Sequence, residues 1–177
     1  RVMLGDADTQ QSSRLWLQQR PEVLPKISTW EYEADLVLTA KPPQGTTHVV
    51  IDTPGGIHGW RLKEVILRAD KVIVPVMPSL FDMQATQNFL KQLVEITKGI
   101  PTDVRVIGNR VDARTISASN LRKFVESLDV QVLSYLRDTQ YYLHMAAHGL
   151  SLFDITPSKV AKDLEQWQPI CEWLDQD

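Results

Sequence analysis

Short apolar runs, each separated from the next by a longer stretch of helical periodicity, constrain this chain more than any other feature. The runs are Val2 to Leu4, His48 to Ile51, Lys71 to Val76, Val104 to Ile107 and Val130 to Leu133. They are rich in β-branched residues and bounded by turn signals, so each is predicted to be a strand. Between them, the spacing predicts helices. Gln11 to Gln19 places Leu15 and Trp16 on one side. Trp60 to Ala69 aligns Leu62, Val65, Ile66 and Ala69. Asp82 to Thr97 aligns Ala85, Phe89, Leu90, Leu93 and Ile96. Asn120 to Leu128 gathers Leu121, Phe124, Val125 and Leu128, and Val160 to Leu174 gathers Leu164, Trp167, Cys171 and Leu174. Strands alternating with helices of this length predict βαβ units: an α/β fold with a mostly parallel sheet and helices on both faces.

Local signals mark the boundaries. Pro21 and Pro25 end the first helix, Pro42-Pro43-Gln44-Gly45 is a turn, and Gly99-Ile100-Pro101 stops the long central helix. Ser117 and Ser119 offer capping oxygens to the helix after them, and Thr156-Pro157-Ser158 opens the last one. Ala34 to Thr39 reads equally as a helix or an edge strand. The 177 residues are enough for one domain with a full core, so residues 1–177 are read as a single domain. The chain opens at Arg1, inside its first apolar run, and is read as lacking an N-terminal portion.

Two acidic clusters follow predicted strand ends. One is Asp6-Ala7-Asp8-Thr9-Gln10; the other is Asp52-Thr53-Pro54-Gly55-Gly56. The carboxyl edge of a parallel sheet is where ligands bind in open α/β folds. Asp52 there can hold a magnesium ion through its water shell, or simply cap the next helix. Asp6 and Asp8 share one side if the chain is still extended, and two carboxylates that close need a cation or donors between them. The alternative is a solvated turn before a helix that begins near Ser12 and Ser13. Asn109-Arg110 follows the fourth strand. Its amide matches a purine edge, and Asn is also a common turn residue.

Other chemistries find little support. One cysteine, Cys171, excludes an internal disulfide framework and a Cys-rich metal site. His144 and His148 lie four apart with no third ligand evident, and no Ser-His-Asp order can be assigned. No apolar stretch approaches the ~20 residues of a membrane span. The net charge of −3 gives no electrostatic case for nucleic-acid binding by the whole molecule; a local basic face is a separate matter. Arg105, Arg110, Arg114, Arg122, Lys123 and Arg137 are scattered and read as solvated surface.

Taken in order, these pieces resemble the ParA/MinD group of deviant-Walker P-loop ATPases, and the ParA branch most. Asp6 to Gln10 resembles that family's Asp-x-Asp-Pro-Gln segment, and Val49 to Pro54 its Walker B strand and switch. Val74-Pro75-Val76-Met77-Pro78-Ser79 with Asp82 resembles its V-P-x-x-P-S loop. Ile107-Gly108-Asn109-Arg110 resembles its adenine-side motif, and Gly149-Leu150-Ser151-Leu152 its Gly-containing motif before the last helices. The similarity runs from Arg1 to about Ala161.

The resemblance implies a P-loop NTPase-like fold without the N-terminal strand and phosphate loop. It implies ATP and Mg2+ as cofactors. Asp8 would position the attacking water, Asp52 would hold the magnesium water shell with Asp6 assisting, and Asn109 with Arg110 beside it would bind adenine. It further implies an ATP-dependent homodimer, non-specific DNA binding, a ParB-like stimulating partner, and a cytoplasmic, nucleoid-associated protein that positions DNA or another large cargo. The chain departs from the pattern at Thr9, where the family has Pro, and at Gly5, where an apolar residue is usual. It also carries no Gly-rich loop with lysines, the main phosphate cradle, so this polypeptide alone is expected to bind ATP poorly. The alternative function is a catalytically inactive dimerisation or binding module. A membrane-oscillating MinD-type role is disfavoured by the acidic stretch Ile170 to Asp177, and an iron-protein reductase by the single cysteine.

Overall fold

The computed structural model describes residues 1–30 and 41–176. The reading of Ala34 to Thr39 falls outside them. Among the described residues six strands run in the order β1 (Val2–Asp6), β2 (Ser28–Thr29), β3 (His48–Asp52), β4 (Lys71–Val76), β5 (Asp103–Val111) and β6 (Val132–Arg137). The helices are α1 (Ser12–Gln19), α2 (Gly59–Ile66), α3 (Leu80–Thr97), α4 (Ile116–Glu126), α5 (Gln140–Ala146) and α6 (Ala161–Leu174). Every strand pairing among the described residues is parallel, as strand–helix alternation requires. The chain forms two compact units, Arg1–Val65 with Tyr141–Ile155, and Ile66–Gln140 with Thr156–Asp177.

In the first unit the strand order is β2-β1-β3. β1 is central, and Met3, Asp6 and Ala7 are buried on or beside it. The β1–β3 register runs from Val2 opposite His48 to Asp6 opposite Asp52. Among the described residues β3 is an outer strand of this sheet, and its Val49 and Val50 are exposed. Met3 packs with Trp30, whose buried indole N–H has no acceptor among the described residues.

The first helix corrects its sequence reading. None of its residues is buried, and Leu15 is 54% exposed. Polar ties hold it in place of an apolar stripe. Trp16 Nε1 donates to the Leu150 carbonyl at 3.2 Å. Arg20, just past the helix, grips Asp154 with both terminal nitrogens at 2.8 and 2.9 Å and donates to the Gly149 carbonyl. Ser151 donates its backbone N–H and its hydroxyl to the same carboxylate, each at 2.7 Å. Gly149 makes the approach possible. Its φ is +65°, and a Cβ there would meet the Arg20 nitrogen and the Gln19 carbonyl carbon at 2.4 Å. The Gly-containing motif is therefore a docking surface for the end of α1.

In the second unit the order is β4-β5-β6. Ile107, Leu136 and Ile170 form one cluster of its core, with Leu133 and Trp167 packed against them. Ser79 caps α3 by accepting from the Asp82 N–H at 3.2 Å, and its hydroxyl bonds the Asp82 carboxylate, so Pro78-Ser79 with Asp82 is a helix-start signal. α4 begins earlier than its periodicity suggests. Its cap is Thr115, which accepts from the Ala118 N–H at 3.1 Å; Ser117 and Ser119 lie inside the helix.

Two further boundaries move. β6 spans Val132–Arg137 rather than Val130 to Leu133, because Ser134 and Arg137 find partners on α6. The buried side of α6 is Asp163, Ile170 and Trp173, one position away from the predicted Leu164, Trp167, Cys171 and Leu174. Asp163 is fully buried and takes two bonds at 2.7 Å from the Arg137 guanidinium. A paired carboxylate at a core position is invisible to a search for apolar periodicity. Thr156-Pro157-Ser158 opens a separate short 3-10 turn, Pro157–Lys159, and α6 starts after it.

Candidate functional site

Asp6, the last residue of β1, is 5% exposed. The chain does not stay extended beyond it. Asp6 Oδ1 accepts the Asp8 N–H at 3.0 Å, and Asp8 Oδ1 accepts the Gln10 N–H at 2.9 Å. These are consecutive Asx turns, which fold the backbone on side-chain oxygens two residues back. The donors between the two carboxylates are thus backbone N–H groups, and the expected shared face of an extended Asp6 and Asp8 does not form.

Gln11 then enters the left-handed region at φ 50°, and α1 begins without a side-chain cap from it. The cap comes from the strand instead, because Asp6 Oδ2 accepts the Arg14 N–H at 3.0 Å. Both Asp6 oxygens are therefore committed to shaping the loop and the helix entry. Asp8 keeps its other oxygen without a protein donor among the described residues.

Asp52 ends β3 directly opposite Asp6. Its backbone carbonyl accepts the Ala7 N–H at 2.8 Å. Its Oδ2 accepts the Ser13 hydroxyl at 2.6 Å, and Oδ1 is free of protein donors among the described residues. After Asp52 the chain turns at Pro54 to Ile57, with Gly56 at φ 73°. Asp52 therefore does not cap α2, which starts only at Gly59. Sequence reasoning missed Ser13. A hydroxyl in the first turn of a helix carries no signal that it will reach a strand end far away in sequence.

The donor set bears on magnesium. Among the described residues no group of three or more His, Cys, Asp or Glu side chains is arranged to hold a metal ion. A dedicated protein cage is therefore not built here. Magnesium, however, keeps several waters and binds through one or two carboxylates with substrate phosphates. One free oxygen on Asp52, on a carboxylate whose other oxygen is held by a hydroxyl donor, fits that outer-sphere mode. Asp6 fits it less well, because its oxygens are already in use.

Asn109 and Arg110 belong to the second unit, near the carboxyl end of β5. The β5–β6 register slips between Gly108 and Val111, so Asn109 and Arg110 form a bulge. Arg110 is left-handed at φ 53°, Asn109 Oδ1 accepts the Arg110 N–H at 3.0 Å, and Arg110 Nε faces Asp138 at 3.3 Å. Bulges re-aim side chains and gather beside active sites. Gly108 is closely covered: an added Cβ would lie 2.4 Å from Tyr135 Cδ1. Arg110 and Gln11 are the non-glycine residues at positive φ among those described; Arg110 lies inside a motif singled out by sequence, and Gln11 directly follows one.

Five of the six scattered basic residues have internal partners. Arg105 pairs with Asp103, Arg110 with Asp138, Arg114 with Asp112, and Arg137 with Asp163. Arg122 lies over the Tyr135 ring at 5.4 Å. His148 Nδ1 bonds the His144 carbonyl, which makes the two histidines part of a helix end.

No protein-family model matches the chain. It is 25% identical, over its whole length and 82% of the relative, to the maintenance of carboxysome distribution protein A of Gloeobacter kilaueensis. Among solved structures it matches a putative plasmid partition protein from Borrelia burgdorferi bound to AMPPNP. That match has a TM-score of 0.72 at 14% identity and covers 97% of this chain and 84% of that one. The chain is ParA-like in fold. The MinD cell division protein of Aquifex aeolicus is a further neighbour of this ParA-like chain. It has a TM-score of 0.59 at 15% identity and covers 84% of this chain and 74% of that one. Among the described residues no helix is long and apolar enough to cross a membrane.

Proposed function

We propose that this ParA-like chain is part of a positioning ATPase, which hydrolyses ATP with magnesium and cycles between dimer and monomer to distribute a large cargo. The observation that carries this reading is the pairing of Asp6 with Asp52 at the ends of adjacent parallel strands, with the Asp8 loop following directly. Phosphoryl transfer asks for positioning and charge stabilisation more than for covalent chemistry. The water oxygen attacks the γ-phosphorus while the β–γ bridging P–O bond breaks, releasing ADP and phosphate. Asp8, with one oxygen tied to Gln10 and one free, would orient that water. Asp52 would hold the water shell of magnesium, which supplies charge neutralisation at the phosphates when bound. Asp6 would shape the loop that carries Asp8. Asn109 and Arg110, set apart by the bulge, would contact adenine.

The kinship with a carboxysome distribution protein and a plasmid partition protein supports a cargo of large size, with non-specific DNA as the track and a ParB-like protein as the stimulator. A second reading, an inactive binding module, draws on the commitment of both Asp6 oxygens to backbone donors. Titrating the full-length gene product with ATP, with and without magnesium, decides between them. Magnesium-dependent binding supports the ATPase; its absence at millimolar nucleotide supports the binding module.

A further inference from the structure

The first turn of α1 reaches both strand-end carboxylates at once. Arg14 contributes a backbone N–H to Asp6, and Ser13 contributes its hydroxyl to Asp52. The two acceptors are register partners on adjacent strands. The same turn directly follows the Asp8 loop, whose Gln10 and Gln11 N–H groups bond back to Asp8. A separation of 2.6 Å lies in the range of a charge-assisted O–H···O bond to a carboxylate. The contact is half-buried, which limits competition from water.

We infer that Ser13 is a positioning residue for magnesium. Its hydroxyl holds Asp52 Oδ2 so that Oδ1 is presented to the water shell of the ion, and it ties the Asp8 loop to the strand that carries Asp52. This inference rests on the ATPase reading of the same site. Groups that orient a metal's carboxylates commonly change metal affinity 10- to 100-fold when removed, roughly. A hydroxyl that merely fastened the helix would change melting temperature and leave metal affinity alone.

The test is a magnesium titration of the full-length protein in the presence of a non-hydrolysable ATP analogue, followed by calorimetry rather than turnover. Ser13→Ala is expected to raise the magnesium needed for half-saturation about tenfold, while analogue binding in chelator stays as it was. Ser13→Thr, which keeps the hydroxyl, is expected to restore the original value. An unchanged magnesium requirement in Ser13→Ala, with the unmutated protein binding the analogue in a magnesium-dependent way, overturns the role of Ser13 and leaves the ATPase reading standing. No magnesium dependence in the unmutated protein overturns both. If Ser13→Ala melts below the temperature of the titration, Ser13→Cys keeps the shape with a weaker donor. It must then show the shift, or the inference fails.

Discussion

At the scale of single residues, the acidic rim separates carboxylates by what is left of their oxygens. Asp6 has none to spare, whereas Asp8 and Asp52 each keep one. Asp8→Ala in the full-length protein should therefore slow hydrolysis by about a hundredfold or more, as loss of a positioning group does, while the ATP-bound dimer persists. Single-turnover kinetics beside equilibrium nucleotide binding check this, and lost ATP binding would undo the role given to Asp8. Asn109→Ala should weaken adenine binding by roughly 1–2 kcal/mol with little change in turnover at saturation. Equal competition by GTP and ATP in the unmutated protein would remove the basis for it. Asp8, Asp52 and Asn109 were singled out as candidates because strand-end Asp and Asn stand out against apolar runs. Their geometry was not legible. The Asx turns at Asp6 and Asp8, the left-handed Gln11 and the bulge at Asn109 depend on which backbone groups lack other partners, and that is decided only once neighbouring strands are in place.

At the scale of elements, α1 is held by polar contacts. The Arg20–Asp154 pair is nearly buried, and the Arg20 guanidinium, helped by Ser151, holds the Asp154 carboxyl at about 2, below its ordinary value of 3.8. A depressed folded value means that the carboxylate contributes stability in full above the unfolded value and loses it as pH falls from about 4 through 2. The contribution is on the order of 2 kcal/mol. Urea unfolding of wild type and Asp154→Asn should therefore differ most at neutral pH and converge between pH 4 and 2; a difference independent of pH would refute the assignment. Gly149→Ala should destabilise by about 2–4 kcal/mol, because the new methyl meets backbone that cannot yield and the residue is forced to positive φ. A denaturation midpoint equal to wild type would contradict this. Most elements were legible from periodicity, since Leu62 with Ile66, Leu90 with Leu93, and Leu121 with Val125 are buried as their spacing implies. Periodicity misled where charge took a core position, as Asp163 does in α6, and where a helix has no apolar face, as in α1.

At the scale of the whole molecule, the sequence indicated the α/β class and the parallel pairing, because long helical stretches between strands leave no room for hairpins. It did not show the division into two compact units, since nothing in composition shifts at their boundaries. A polypeptide of these 177 residues, without a Gly-rich phosphate loop, is expected to bind ATP more weakly than about 1 mM. Calorimetry on that polypeptide checks it, and micromolar binding would show that other groups grip the phosphates.

Among the described residues β3 lies at the edge of its sheet, and this has a practical consequence for a polypeptide of these 177 residues. Its Val49 and Val50 project to opposite faces and are 39% and 54% exposed, and no lysine or proline guards the strand between His48 and Asp52. Such a rim invites edge-to-edge self-association that grows with protein concentration and needs no nucleotide. An increase in particle size on concentrating this polypeptide is therefore no sign of an ATP-driven pairing; only assembly that appears with the triphosphate and vanishes on its removal reports on the cycle.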